Sequence, residues 1–297
     1  MDVSIIIPNL HSPVVGRTLD SIREQTCDLS SVEIIVVGMD PHNLVIEDDL
    51  VSFVRTARPV CAAAARNLGI HHSRGELLAF LDADCVAAPD WLEVLTARFQ
   101  KPSVQVVVGA VDFPADDYWT LCDNISTFYS WLPTAQVGPR PYAPTINLGV
   151  RRAVVDQIGL MDESFPGAAG EDIDWTVRMR LAGYELEFEP RAIIYHHPHR
   201  NTPGQLLCRS FNFGANMIKV HRRYQDRISL PSLYRHPFWL VAFAPVLAAG
   251  VTARIYLSNR ALWRFWYTGL PVFLAKMAWR FGGARQIVRE RWEQSTQ

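Results

Sequence analysis

Leu77-Leu78-Ala79-Phe80-Leu81-Asp82-Ala83-Asp84 decides how this chain is read, because an unbroken apolar run ends on two carboxylates. Five apolar residues after Gly75 predict a short strand buried on both faces, as in the middle of a parallel sheet. Strand side chains alternate, so Asp82 and Asp84 face one side where the strand reaches the surface. Open α/β sheets bind ligands at the carboxyl ends of their strands. Two carboxylates close together there are costly unless a cation neutralises them, so a divalent metal carrying a phosphorylated substrate is expected.

Strand and helix signals alternate on either side of that run, the pattern of βαβ units. Val3–Ile7 and Val32–Val37 read as strands, with a short one at Phe53-Val54. Ser12-Pro13 reads as N-cap and first helical position, and Val60–His72 as an Ala-rich helix. Beyond the acids, Pro89–Gln100 reads as a helix and Val104–Val111 as a buried strand. Pro114–Pro144, rich in aromatics and prolines, reads as an irregular region shaping a pocket. A Gly/Ala loop, Gly167–Gly170, leads into a helix beginning near Glu171, and the strand Glu185–Glu189 comes after it. Thr202-Pro203 starts a further helix.

The 297 residues, 49% of them apolar, suffice for one large domain or a domain with an appendage. Five cysteines without CxxC or metal-finger spacing suggest reduced thiols in a cytosolic compartment, and no secretory signal is visible ahead of the first strand. The net charge of −1 hides an asymmetry: residues 1–190 hold 13 Lys+Arg and 27 Asp+Glu, residues 191–297 hold 16 and 3. That basic segment also carries five of the nine tryptophans. It suggests an anionic membrane surface as partner, with nucleic acid set aside. Within it Pro237–Ala253 is an apolar run of 17 residues, at the short limit for a membrane span. Leu262–Phe281 places Trp263, Trp266, Leu270, Phe273, Met277 and Phe281 at helical spacing, an interfacial pattern that core helices would also display.

Three further groups bear on chemistry. Arg66, on the helix before the acidic strand, is placed to meet a phosphate or to fix the acidic loop; it would equally suit a helix C-terminus. Glu171, Asp172 and Asp174 crowd the first turn of a helix, where the macrodipole favours acids whether or not they act. The dipole would keep Asp172 ionised, as a general base must be. His196, His197 and His199 come after a strand-like segment, and imidazole is a good transition-metal ligand; spacing alone does not choose between His196 and His197.

Val3–Pro8, Glu33–Val37, Ala65-Arg66-Asn67-Leu68-Gly69-Ile70, Phe80–Asp84, Asn147-Leu148-Gly149-Val150-Arg151-Arg152 and Gly170-Glu171-Asp172 stand in the order and spacing of a family 2 glycosyltransferase. The chain resembles that family from residue 3 to about 200. The resemblance implies a GT-A fold, a Rossmann-like α/β domain over residues 1–200 that binds a nucleotide-sugar. A helical, basic, membrane-associating region over 201–297 would come after it. The resemblance further implies inverting transfer to an acceptor hydroxyl, assisted by Mg²⁺ or Mn²⁺.

Residue by residue, the resemblance makes Asp82 a ribose or metal-shell contact and Asp84 the direct metal ligand, and His196 completes the metal site. Asp172 becomes the general base. Pro8 and Asn9 open the nucleotide loop, Asn147 lies on the sugar-pocket segment, and Arg66 and Glu171 belong to the donor side. The family's acidic pair after the second strand is replaced by Gly38-Met39, leaving Asp40 to read the base of a UDP-, GDP- or dTDP-sugar. The QxxRW motif of processive members is absent, which implies addition of one sugar. A glycan or lipid-linked acceptor at the cytoplasmic face of a membrane, with the enzyme held peripherally or monotopically, is the expected setting. The competing readings are a nucleotidyltransferase, which would want a Gly-rich, basic phosphate loop that Pro8–Gly16 does not offer, and a non-catalytic nucleotide-sugar-binding membrane scaffold.

Overall fold

The computed structural model describes residues 1–115, 117–165, 169–198, 200–227 and 236–295, with side chains up to 293. Gly167 of the Gly/Ala loop and His199 of the histidine cluster lie outside the described residues. The chain divides into two compact units, one of residues 1–113 and 131–198, the other of 114–130 and 199–297.

The first unit is built on a nine-stranded mixed sheet. Strands β1 (Val3–Asn9), β2 (Val32–Gly38), β3 (Val51–Arg55) and β4 (Leu77–Leu81) pair in parallel in the order β3-β2-β1-β4. These strands are apolar because helices α1 (Val15–Arg23) and α2 (Ala62–His72) cross over between them; Ile5, Ile6, Ile7 and all of β4 are buried. Next come β5 (Cys85–Ala87), α3 (Trp91–Arg98) and β6 (Val106–Asp112). The sheet is completed by β7 (Gly138–Arg140), β8 (Asn147–Arg151) and β9 (Leu186–His196), with α5 (Arg152–Ile158) directly after β8. Antiparallel to β4, β8 sets Asn147 opposite Leu81, so the start of β8 and the end of β4 share one sheet edge.

Two details depart from the sequence reading. Ser12 does not cap α1, which begins at Val15 without a side-chain cap; its hydroxyl donates instead to the Ala83 carbonyl at 2.7 Å. The strand expected to stop at Glu189 runs on through Pro190. Proline has no N–H for the ladder, and the β6–β9 register accordingly jumps from Gly109↔Glu189 to Ala110↔Ile193.

In the second unit, part of the stretch expected to be irregular is α4 (Tyr118–Phe128), whose first turn is capped by Asp117 accepting from the Thr120 N–H at 2.7 Å. Helix α7 (Pro203–Arg223) begins with a capping box between Thr202 and Gln205. It packs against α10 (Gly269–Ser295) so closely that a Cβ on Gly214 would stand 1.9 Å from the Trp279 carbonyl oxygen. Backbone cannot yield as a flexible side chain does. Gly214→Ala is therefore expected to destabilise this unit by about 1–3 kcal/mol, read as a lower denaturation midpoint; an unchanged midpoint would mean the helices do not meet there.

Candidate active site

The carboxyl ends of β1, β2 and β4, the start of β8 and the end of β9 bring most of the expected residues to one edge of the first unit. The loop after β4 is held rigidly. The Ala83 carbonyl accepts from both Ser12 and Thr18, at 2.7 and 3.1 Å, while β5 turns back to pair with the last residues of β9. That pairing sets Cys85 opposite His196, and the His197 N–H donates to the Asp84 carbonyl at 2.8 Å. The buried His196 imidazole consequently lies 3.5 Å from the Asp84 carboxylate, Nε2 to Oδ2. The His196 ring faces Asp84, and His197 meets the same residue through its backbone N–H.

Asp82 takes a different course. Its Oδ1 accepts from Arg66 at 2.7 Å, and the other arm of the same guanidinium reaches Glu171 at 2.9 Å. Arg66 and Glu171 are both buried. Asp82 is thus tied to Arg66 while Asp84 lies beside His196, and among the described residues no set of three or more His, Cys, Asp or Glu side chains is arranged to hold a metal ion. Glu171 has one carboxylate oxygen on Arg66 and the other buried without a hydrogen-bond partner. Arg66 ties the acidic loop after β4 to the helix start at Glu171.

Asp172, half-buried, opens α6 (Glu171–Leu181), with its Oδ1 accepting from the Ile173 N–H at 2.8 Å and the Gly170 N–H at 3.3 Å. The helix is seated on the sheet by Trp175, packed edge-on to Phe80 of β4 with ring centroids 5.5 Å apart. Burial pushes the Asp172 carboxyl up from its ordinary value, against the opposing pull of Arg66 and the backbone N–H groups of Ile173 and Thr145. The helix start alone does not set its ionisation, as the sequence reading supposed. Burial, aided by the neighbouring Asp172 charge, pushes Glu171 up to about 7 despite Arg66.

A carboxyl raised in the folded state binds more protons there than in the unfolded chain, so it makes stability fall as pH rises from the unfolded value near 4.5 through about 7. Stability measured across that range is expected to lose part of this decline in Glu171→Gln. An identical pH dependence in both proteins would place the Glu171 proton elsewhere.

Asn147 opens β8 fully buried. Both of its N–H donors are used, on the carbonyls of Ala110 and Ala192 at 2.8 and 2.9 Å, and its oxygen accepts from the Trp91 indole at 2.9 Å. These carbonyls flank the β9 irregularity at Pro190, so the buried amide supplies the hydrogen bonds that the interrupted ladder omits. Asn9 is committed likewise, donating to the Met39 carbonyl and accepting from the Ser12 N–H, each at 3.0 Å. Pro8 sits half-buried in β1 opposite Val37.

The replacement of an acidic pair by Gly38-Met39 has a steric cause. Gly38 has φ of 134°, and a Cβ there would lie 2.0 Å from the Asn9 carbonyl oxygen. Asp40 comes next, with one carboxylate oxygen accepting from the Val45 N–H at 2.7 Å and the other buried without a partner. Sequence reasoning missed Thr18 and Trp91, whose roles depend on contacts 65 and 56 residues away.

Comparison with known proteins identifies the relatives of this chain. The sequence model of glycosyl transferase family 2 matches residues 4–134, and that of glycosyl transferase family group 2 matches residues 77–279. Glycosyltransferase AglE of Haloferax volcanii is 32% identical over 264 residues, covering 82% of this chain and 81% of that protein. The pre-mycofactocin glycosyltransferase of Mycobacterium tuberculosis is 26% identical over 238 residues, covering 76% of this chain but 49% of its own length. Among solved structures, a mannosyltransferase from Pyrobaculum calidifontis in complex with GDP-Man and Mn²⁺ superposes with a TM-score of 0.60 at 18% identity, covering 98% of this chain and 87% of that one. The fold is shared with that enzyme.

Proposed function

The chain belongs to glycosyltransferase family 2 and is a glycosyltransferase; from that premise we propose that it moves one sugar, with inversion, from a UDP-, GDP- or dTDP-sugar to an acceptor hydroxyl of a glycan or lipid-linked glycan. The observation that carries this reading is the Arg66 bridge. One guanidinium ties the loop presenting Asp84 to the helix start presenting Asp172, so the groups for leaving-group and acceptor chemistry are positioned together.

Asp172 is the group that takes the proton from the acceptor hydroxyl, and the upward push on its carboxyl strengthens it as a base while it is ionised. Asp40 offers its unpartnered buried oxygen to the nucleobase. Asp84 and His196 fit a divalent cation, Mg²⁺ or Mn²⁺: an oxygen and an imidazole nitrogen face one another, a donor set that favours Mn²⁺. When bound, such a cation supplies positive charge against the departing nucleoside diphosphate. The basic, aromatic-rich 201–297 region would keep the enzyme at the cytoplasmic face of a membrane, peripherally or monotopically, where a lipid-linked acceptor is found.

A thermal-shift screen of UDP-, GDP- and dTDP-sugars with Mg²⁺ or Mn²⁺ tests the donor and the cation together. A true donor at about a hundred times its Kd should stabilise the protein by about 2.7 kcal/mol. Asp84→Asn should remove most of the cation-dependent part, and His196→Ala less of it. The reading fails if no nucleotide-sugar shifts the midpoint, and its metal half fails if excess chelator leaves the shift intact.

A further inference from the structure

Two consecutive helices of the second unit, α8 (Pro237–Ala242) and α9 (Ala244–Ser258), are apolar on the outside as far as Ala253, and exposed Arg254 and Ser258 close α9. Phe238, Val246 and Leu257 are 69%, 70% and 73% exposed, while the inward face consists of Leu240, Ala244, Ala248 and Ile255. No Lys, Arg, Asp or Glu interrupts residues 236–253. A water-facing helix carries polar groups on its outer side, and an apolar surface of this extent marks an interaction or membrane site.

The length rules out a crossing. Fifteen residues of α9 extend about 22 Å, against about 30 Å for a bilayer's hydrocarbon core. The chain leaves helical geometry at Phe243, between α8 and α9, and among the described residues no helix is long and apolar enough to cross a membrane. Beyond α9 the chemistry changes. The 3-10 segment Arg260–Thr268 exposes Trp266 by 77%, with Trp263 and Tyr267 also exposed beside Arg260 and Arg264. Aromatic rings and arginines together occupy the headgroup layer of membranes. Residues 227–289 hold nine Lys or Arg and no Asp or Glu; Lys276 and Arg280 are turned inward, on the carbonyls of Ser126 and Lys276, while exposed Arg254, Arg260 and Arg264 complement an anionic surface and oppose the packing of this face on a second copy.

We propose that α8 and α9 insert into a single leaflet of an anionic bilayer as a monotopic wedge, with the Arg260–Thr268 segment in the headgroup layer. The inference rests on the proposed membrane attachment and specifies its mode, insertion instead of spanning or surface adsorption.

Flotation of the full-length protein with phosphatidylcholine–phosphatidylglycerol vesicles tests it, with a wash in about 1 M NaCl. The wild type should float and resist the wash. V246E/L257E should float at low salt and be stripped by it, and R260S/R264S should lose roughly fivefold in partition per arginine yet stay salt-resistant. Lipids brominated on their acyl chains should quench the wild type's tryptophan fluorescence, a readout that needs no variant. Stripping of the wild type by salt, without quenching, would overturn the wedge and leave the membrane attachment standing. Failure to float at all, with a dimer that V246E/L257E converts to monomer, would overturn both and make this face a contact between copies.

Discussion

Asp172→Asn should reduce sugar transfer by about a hundred- to ten-thousand-fold, the usual cost of losing a general base, while leaving nucleotide-sugar affinity nearly unchanged. Asparagine keeps the shape and can still accept from the Ile173 N–H that holds the carboxylate, so the helix start should persist. It cannot take a proton. Initial rates and donor affinity measured on the same purified variant separate the two effects. Near-normal turnover would remove Asp172 from the role, and a parallel loss of donor binding would assign it to the donor instead.

Arg66→Ala should produce the largest loss of stability. Its side chain is the shared partner of Asp82 and the buried Glu171, and removing one member of a buried ion pair costs about 3–5 kcal/mol, because the abandoned charge remains desolvated. For a unit of this size that is a fall of roughly 6–20 °C in melting temperature. Glu171 escapes part of the penalty by taking a proton, so the loss should be greater above pH 7 than below it. Adding Glu171→Gln should restore part of the stability, since it removes the charge left unpaired. A melting temperature within about 2 °C of wild type would show that Arg66 is not holding the two segments, and the Arg66 bridge as the basis of the site would fall with it.

How much of this site is legible in the sequence depends on the reach of each signal. Leu77–Leu81 followed by two acids declares a buried strand surfacing at a ligand edge, because burial and alternation act over a few neighbouring residues. Pro203 after Thr202, with Gln205 three residues on from the threonine, declares a helix start in the same local way. Asn147 carries no such sign. Its amide answers two carbonyls left over by the β9 irregularity, and those belong to residues 37 and 45 positions distant. Helix α4 was hidden for another reason: aromatics and prolines on both sides of it masked the local Asp117 cap.

The sequence by itself determined the family, the α/β order of the first unit, the acids that end β4 and open α6, and the charge split that makes residues 191–297 basic. Those properties are written in periodicity, composition and motif order, which survive without coordinates. Only the tertiary structure decided how these acids are partnered. Asp82 and Glu171 share Arg66, whereas Asp84 faces His196, because pairing β5 with β9 and seating α6 on β4 brings together groups far apart in the chain. Only the structure, too, decided that the apolar run at 237–253 leaves helical geometry at Phe243 and turns apolar side chains outward. Hydropathy records how apolar a segment is, and packing alone records which face is left uncovered.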